Sequence, residues 1–218
     1  MKKAGFWTIW IVIIVVPVIT ILRNTPMSLV TSSPYKLAVF LQSGLGLIVF
    51  SLLFIQIILG TFMDKITKFM GTKIVKFHII NGTFTYFLAF LHPVIYLISI
   101  YLAGGRPDPY MAFVNACLIC KTPRSYFLSM GIISFWFLTT AFLAAILRKL
   151  NPWFKKNWKY LHVLNYIAFI LIGVHGFFLG KYFKLEPFFV LSIILYTVIV
   201  LLLIFFELPK KLNCLKIG

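Results

Sequence analysis

Acidic side chains are nearly missing from this chain. Asp64, Asp108, Glu186 and Glu207 are the only four among 218 residues, set against 21 lysines and arginines. Charge of either sign is scarce, at 11% of residues, where soluble domains carry about a quarter; an ordinary cytosolic enzyme is excluded. No charged side chain falls inside any of the long apolar stretches. Buried charge marks ion and proton pathways in membranes. Its lack therefore argues against a carboxylate proton relay, against ion-coupled transport, and against a retinal Schiff base, which needs a buried lysine. No glycine-rich dinucleotide fingerprint occurs either.

What the chain does have is hydrophobic surface, 61% of its residues. Six charge-free windows separate the charges: Lys3 to Arg23, Lys36 to Asp64, Lys76 to Arg106, Arg124 to Arg148, Lys159 to Lys181 and Glu186 to Glu207, holding 19, 27, 29, 23, 21 and 20 residues. A helix needs about 20 apolar residues to cross a hydrocarbon layer about 30 Å thick. Lipid offers the backbone no hydrogen-bond partners, so the helix is the form these spans must take. The expected fold is all-α, one domain over residues 1–218, with transmembrane helices near 5–22, 37–62, 75–103, 125–147, 158–180 and 187–207. Lys2-Lys3 before an apolar run also suits a signal peptide, but no small-residue cleavage site follows; the run ends in Ile21-Leu22-Arg23-Asn24, which favours an uncleaved first helix.

Six crossings put both termini on one side. That side would carry Lys2, Lys3, the Lys65/Lys68/Lys73/Lys76 connection, the Arg148/Lys149/Lys155/Lys156/Lys159 connection and Lys210/Lys211/Lys216, fourteen cations in all. The other side holds seven: Arg23, Lys36, Arg106, Lys121, Arg124, Lys181 and Lys184. The excess marks the first side, and both termini, as cytoplasmic in a multi-pass protein of the cell membrane. The net charge of +17 is then an orientation signal and an attraction to anionic headgroups, not a nucleic-acid cue. Between Gly104 and Arg124, the patch from Met111 to Ile119 is too short to span and is expected to lie at the interface as a short helix.

Inside the membrane the polar groups of note are histidines. All four in the chain sit in two windows: His78 and His92 in the third, His162 and His175 in the fifth. The intervals of 14 and 13 residues correspond to roughly 21 Å and 20 Å of helix. Third and fifth helices run in the same direction, so His78 lies level with His162, and His92 with His175. Two facing imidazoles at one depth, twice over, suit two axially ligated b-type haems held between helices 3 and 5. A zinc site would need all its ligands within a few ångströms. A c-type haem would need Cys-x-x-Cys-His, but Lys121 follows Cys117 and Cys120. A single histidine would read as polar glue between helices. Fourteen residues bring His78 and His92 to within about 40° of one face, whereas thirteen leave His162 and His175 about 140° apart. Either the fifth helix is distorted, near Gly173, or the two haems are approached from different angles.

The two helices echo each other, His78-Ile-Ile-Asn81 against His162-Val-Leu-Asn165. Asn81 and Asn165 would orient a ligand or a haem propionate, or else make packing hydrogen bonds between helices. Gly82, Gly173 and Gly176 would leave room for a flat macrocycle. Pro93 denies the Ala89 carbonyl its helical partner, and that carbonyl would accept the His92 Nδ1 proton. Cys117 and Cys120 face the oxidising side, as a structural disulfide, a redox relay or two unpaired interfacial thiols; Cys214 is expected to be a free cytoplasmic thiol.

The stretch Phe77-His-Ile-Ile-Asn-Gly-Thr-Phe-Thr-Tyr-Phe-Leu-Ala-Phe-Leu-His92-Pro resembles the third helix of ferric reductase-like transmembrane domains. Trp158-Lys-Tyr-Leu-His162, continuing to His175, resembles their fifth. The histidine intervals are those of NADPH oxidases and ferric reductases, and the resemblance covers helices two to six. It implies a di-haem b module that carries electrons from a cytoplasmic donor to an extracytoplasmic acceptor. His78 and His162 would ligate the inner iron, His92 and His175 the outer. The larger members continue into a flavin- and NADPH-binding region, and this sequence ends eleven residues after Glu207. The expected donor is therefore a separate flavoprotein, FMN or FAD bound to the membrane part, or quinol. The chain is also similar to the haem subunit of the periplasmic methionine sulfoxide reductase system, which implies flavin and haem b. A quinol-linked cytochrome b is the further alternative, separated by whether quinol reduces it.

Overall fold

The structure, a computed structural model, describes residues 2–207. The expected cytoplasmic Lys210, Lys211 and Lys216 and the thiol of Cys214 lie outside the described residues. Helices follow in the order α1 (Lys2–Asn24), α2 (Met27–Val30), α3 (Pro34–Thr61), α4 (Met63–Met70), α5 (Lys73–Leu102), α6 (Pro109–Phe113), α7 (Pro123–Leu147), α8 (Pro152–His162), α9 (Leu164–Leu179) and α10 (Phe188–Leu202), the last continuing as a π-helical turn, Leu203–Glu207. Among the described residues there are six stretches long and apolar enough to cross a bilayer: Lys3–Asn24, Pro34–Thr61, Lys73–Leu102, Pro123–Leu147, Pro152–Leu179 and Phe188–Phe205.

Helix starts are written into the sequence as a capping residue followed by proline. Ser33, Asp108, Thr122 and Asn151 each accept a backbone N–H of the first turn, and Pro34, Pro109, Pro123 and Pro152 follow directly. The side-chain oxygen satisfies an orphan donor, and proline has no N–H to leave unsatisfied. Asn151 thereby starts the fifth span earlier than expected, at Pro152, through the polar helix α8 with its three lysines.

The second span, α3, runs through the middle of the bundle. It is apolar on every side, as a helix enclosed by others must be, with Leu47, Phe50, Leu53, Ile57 and Leu59 buried. Phe50 stacks on Phe169 at 4.4 Å between ring centres and meets Phe183 and Phe188 edge-on at 5.1 and 6.2 Å. These contacts tie the second, fifth and sixth spans together. The first span is pinned to the start of the sixth: the Phe188 N–H donates to Thr20 Oγ1 at 3.1 Å, and Thr20 is fully buried. By contrast Ile79, Ile80, Phe84, Phe87 and Phe90 on α5 are exposed, the surface a bilayer would cover.

Three connections carry short helices, α2 after the first span, α4 after the second and α6 after the third. At one end, α4 is polar and wholly unburied, and Gly71 closes it at φ +90°, a conformation open to glycine and costly for others. At the other end the expected interfacial helix over Met111–Ile119 is displaced. The Asp108 carboxylate caps the Tyr110 and Met111 N–H groups, so the helix begins at Pro109 and stops at Phe113. Residues 114–122 are irregular, held in a turn by the Cys117–Cys120 disulfide.

Candidate functional site

The third and fifth spans bring the four histidines together in two pairs. The His78 and His162 ring centres lie 6.4 Å apart with planes at 65°, and those of His92 and His175 lie 6.5 Å apart at 80°. The fifth span is indeed distorted, but at Val163, directly after His162, and not near Gly173. There the helix breaks for one residue and resumes at Leu164, with the Tyr166 N–H donating to the Val163 carbonyl at 3.0 Å, a bond of three-residue reach. Such a turn winds about 120° per residue against about 100° in an α-helix. That is the sense of rotation needed to recover what a thirteen-residue interval loses.

In the outer pair both rings are anchored through Nδ1. His92 Nδ1–H donates to the Gln42 carbonyl at 2.9 Å and His175 Nδ1–H to the Phe127 carbonyl at 2.8 Å. The acceptor for His92 is thus on the second span and not, as Pro93 suggested, the Ala89 carbonyl of its own helix: the ring is turned toward α3, where the Gln42 carbonyl comes within 2.9 Å. Each anchoring bond fixes the tautomer that leaves Nε2 unprotonated, a metal-binding nitrogen. The rings also rest on glycine. A methyl group at Gly46 would stand 3.2 Å from His92 Cε1, and one at Gly131 only 2.7 Å from His175 Nδ1.

The inner pair is built differently. The Gln56 amide nitrogen lies 2.9 Å from the His78 carbonyl, to which it donates, and 3.2 Å from His78 Nε2. Asn81 Nδ2 donates to Gln56 Oε1 at 3.0 Å, so Asn81 orients Gln56, which touches the histidine. The Nδ1 atom of His78 is buried without a hydrogen-bond partner, whereas the ring of His162 faces the backbone of Ala141. Trp158 packs edge-on to His162 at 5.8 Å and carries the Arg148 guanidinium over its face at 4.3 Å. Asn165 lines the cavity beside this pair.

Each pair borders a cavity. The inner one, of 830 Å³, is also lined by Gln56, Asn165, Arg148 and Lys159. The outer one, of 860 Å³, is lined by Gln42, Gly131, Arg106, Arg124 and Lys181 beside its histidines. Both lie in the range of about 300–1,000 Å³ common for cofactor-sized ligands, and Leu138 borders both. The donor set fits a group ligated on two opposite faces. Metal–imidazole bonds of about 2 Å on either side of one ion, plus about 1 Å from nitrogen to ring centre, bring two ring centres to about 6 Å. Among the described residues no three His, Cys, Asp or Glu side chains converge.

Of the glycines expected to make room for a macrocycle, Gly82 borders the inner cavity and Gly176 the outer one, while Gly173 borders neither. A methyl group would meet the Gln56 amide at 2.5 Å from Gly82, the Tyr196 ring at 2.6 Å from Gly173 and the Phe183 ring at 2.7 Å from Gly176. They admit neighbouring side chains. The residues that do face the histidines were not singled out from the sequence: Gln42, Gly46, Gln56, Gly60 and Gly131. Their signal was present. The second span carries Gln-x-x-x-Gly twice, Gln42/Gly46 and Gln56/Gly60, at the same 14-residue interval as His92 and His78.

These features define a class: a helical multi-span protein with two edge-to-face imidazole pairs, one above the other, inside its apolar bundle. The family described as the ferric reductase like transmembrane component matches residues 44–173, more than half the sequence, and the chain belongs to that family. It is accordingly an integral, multi-pass membrane protein and a membrane electron-transfer component, of a family that generally binds haem and works with redox partners. The match includes His78, His92 and His162 and ends two residues before His175. No curated protein and no solved structure matches the chain.

Proposed function

We propose that this chain is a di-haem b cytochrome that passes electrons across the membrane, from a cytoplasmic donor to an extracytoplasmic acceptor. The observation that carries the reading is the level pairing of His78 with His162 and of His92 with His175, each pair with ring centres about 6 Å apart between the third and fifth spans. Haem b, when bound, supplies one-electron oxidation and reduction at iron, and two imidazole ligands per iron favour electron transfer over oxygen binding.

The protein's own part is to hold and orient. Gln42 and Phe127 present carbonyls that turn the outer imidazoles toward each other. Gln56 fixes His78, and Asn81 fixes Gln56; Asn165 lines the inner cavity. Aliphatic and aromatic residues around α3 exclude water from the space between the pairs. Arg148, Lys149 and Lys159 at the inner cavity supply positive charge for carboxylate groups of the cofactor or for an anionic flavin, FMN or FAD, bound there or on a partner. Arg106, Arg124 and Lys181 do the same at the outer cavity. The charge asymmetry supports placing both termini, and the His78/His162 pair, on the cytoplasmic side, where a flavoprotein or quinol is the donor.

A pyridine haemochrome assay on the purified chain tests the reading. Two haem b per chain and a reducible Soret and α-band spectrum are expected; a chain without haem would sink it.

A further inference from the structure

The disulfide Cys117–Cys120 is left unused by the proposed function, and its surroundings connect it to the outer imidazole pair. Ser129 on α7 receives it: the Cys117 N–H donates to Ser129 Oγ at 2.9 Å, and Ser129 Oγ lies 3.2 Å from Cys117 Sγ and 3.9 Å from Cys120 Sγ. Ser129 itself donates to the Ser125 carbonyl at 2.9 Å. The same turn of α7 holds His175, through the Phe127 carbonyl and the bare backbone at Gly131. Ser129 and Gly131 are two residues apart, so they face roughly opposite sides of the helix. One α-helix, about 10 Å across, therefore separates the disulfide from an outer imidazole. Bridging residues only three apart removes little freedom from the unfolded chain, which leaves the bond a weak structural staple. Cys-x-x-Cys is a spacing used for reversible dithiol chemistry.

We propose that Cys117 and Cys120 form a redox-active pair that takes electrons from the outer site and hands them to an oxidised protein dithiol outside the membrane. This rests on the electron-carrier reading. The Cys117–Cys120 S–S bond breaks on taking up two electrons, one from each of two ferrous haem b groups that become ferric, and two protons from external water, giving two thiols. One thiolate then attacks a disulfide of the partner, releasing one partner thiolate and forming a mixed disulfide. The second cysteine displaces the remaining partner sulfur, which restores the Cys117–Cys120 bond and leaves the partner reduced by two electrons. Ser129 acts as the positioning residue, with its hydroxyl against both sulfurs.

The test uses the full haem-loaded chain carrying Cys214→Ser, so that only this pair can be labelled. The protein is reduced anaerobically, freed of reductant and followed by haem absorbance while samples are alkylated with a maleimide of defined mass. The inference expects the ferrous bands to fade as the maleimide tags rise from zero to two per chain, with two haem electrons lost per disulfide opened. A Cys117→Ser/Cys120→Ser variant should keep its ferrous bands under the same conditions. Ferrous bands that persist beside an intact disulfide would overturn the inference while leaving the carrier intact. Equal fading in the double variant would overturn it too. A chain with no haem bands at all would defeat the carrier reading itself.

Discussion

Three glycines face the histidines at different distances, and they make a graded test of how the rings are held. A methyl group at Gly131 would stand 2.7 Å from His175 Nδ1, one at Gly46 would stand 3.2 Å from His92 Cε1, and one at Gly60 would stand 3.6 Å from His78 Cε1. The last is ordinary contact; the first cannot exist without displacement. His175 can retreat only by bending or giving up the bond from its Nδ1 to the Phe127 carbonyl at 2.8 Å. Gly131→Ala therefore costs the hydrogen bond, about 1 kcal/mol, together with overpacking of about 1–3 kcal/mol. Alanine returns up to about 1 kcal/mol through its helix propensity. The net, about 1–3 kcal/mol, is about 5- to 150-fold in affinity for whatever His175 ligates. The assay is haem retention during titration with a competing haem scavenger, read by the pyridine haemochrome and by the reduced-minus-oxidised spectrum. Gly131→Ala should release one haem equivalent of two at lower scavenger concentration, Gly46→Ala should do so to a smaller degree, and Gly60→Ala should match the unaltered protein. An order in which Gly60→Ala is the worst, or in which all three behave alike, would refute the reasoning.

Other outcomes follow from the same geometry. His92→Ala and His78→Ala should each halve the haem content, and the double replacement should abolish it, as measured per chain in the pyridine haemochrome assay. Gln56→Leu removes the donor to the His78 carbonyl and the acceptor for Asn81; a buried group left unpaired costs about 1–3 kcal/mol, so a lowered Tm and a shift confined to one of two spectral components are expected. Thr20→Val deprives the Phe188 N–H of its acceptor and should lower Tm by a similar energy without changing the spectrum, a control for general destabilisation. Single cysteines introduced at Lys149 and at Arg106 should label from opposite sides of sealed vesicles with an impermeant maleimide. Labelling of both from one side would contradict the six-span topology.

The spans were legible because charge is so rare here that its absence outlines each one, and because cap-proline pairs punctuate the starts. The histidine pairs were legible because four residues of one type, at depths fixed by helical rise, leave one sensible matching. The break at Val163 was not, since neither Val163 nor its neighbours is a helix breaker by propensity; only the mismatch between 13 residues and a common face pointed to it. The His92 anchor was misassigned because sequence shows what lies along a helix and not what faces it. Gln42 is fifty residues away in sequence and 2.9 Å away in space. Gly173 was misread for the same reason: it looked like space for a ligand, yet the Tyr196 ring occupies it.

The doubled Gln-x-x-x-Gly of the second span turns a length of backbone into a ruler. Its 14-residue period sets about 21 Å between equivalent supports, and a helix changes length only in whole residues. Substitutions between Gly46 and Gly60 can repack the space between the two pairs without altering their separation. Removing one residue shortens the interval by about 1.5 Å and also swings one support about 100° away from its histidine. The distance between the two sites is thus a quantised property of the chain, open to change in composition and closed to change in count.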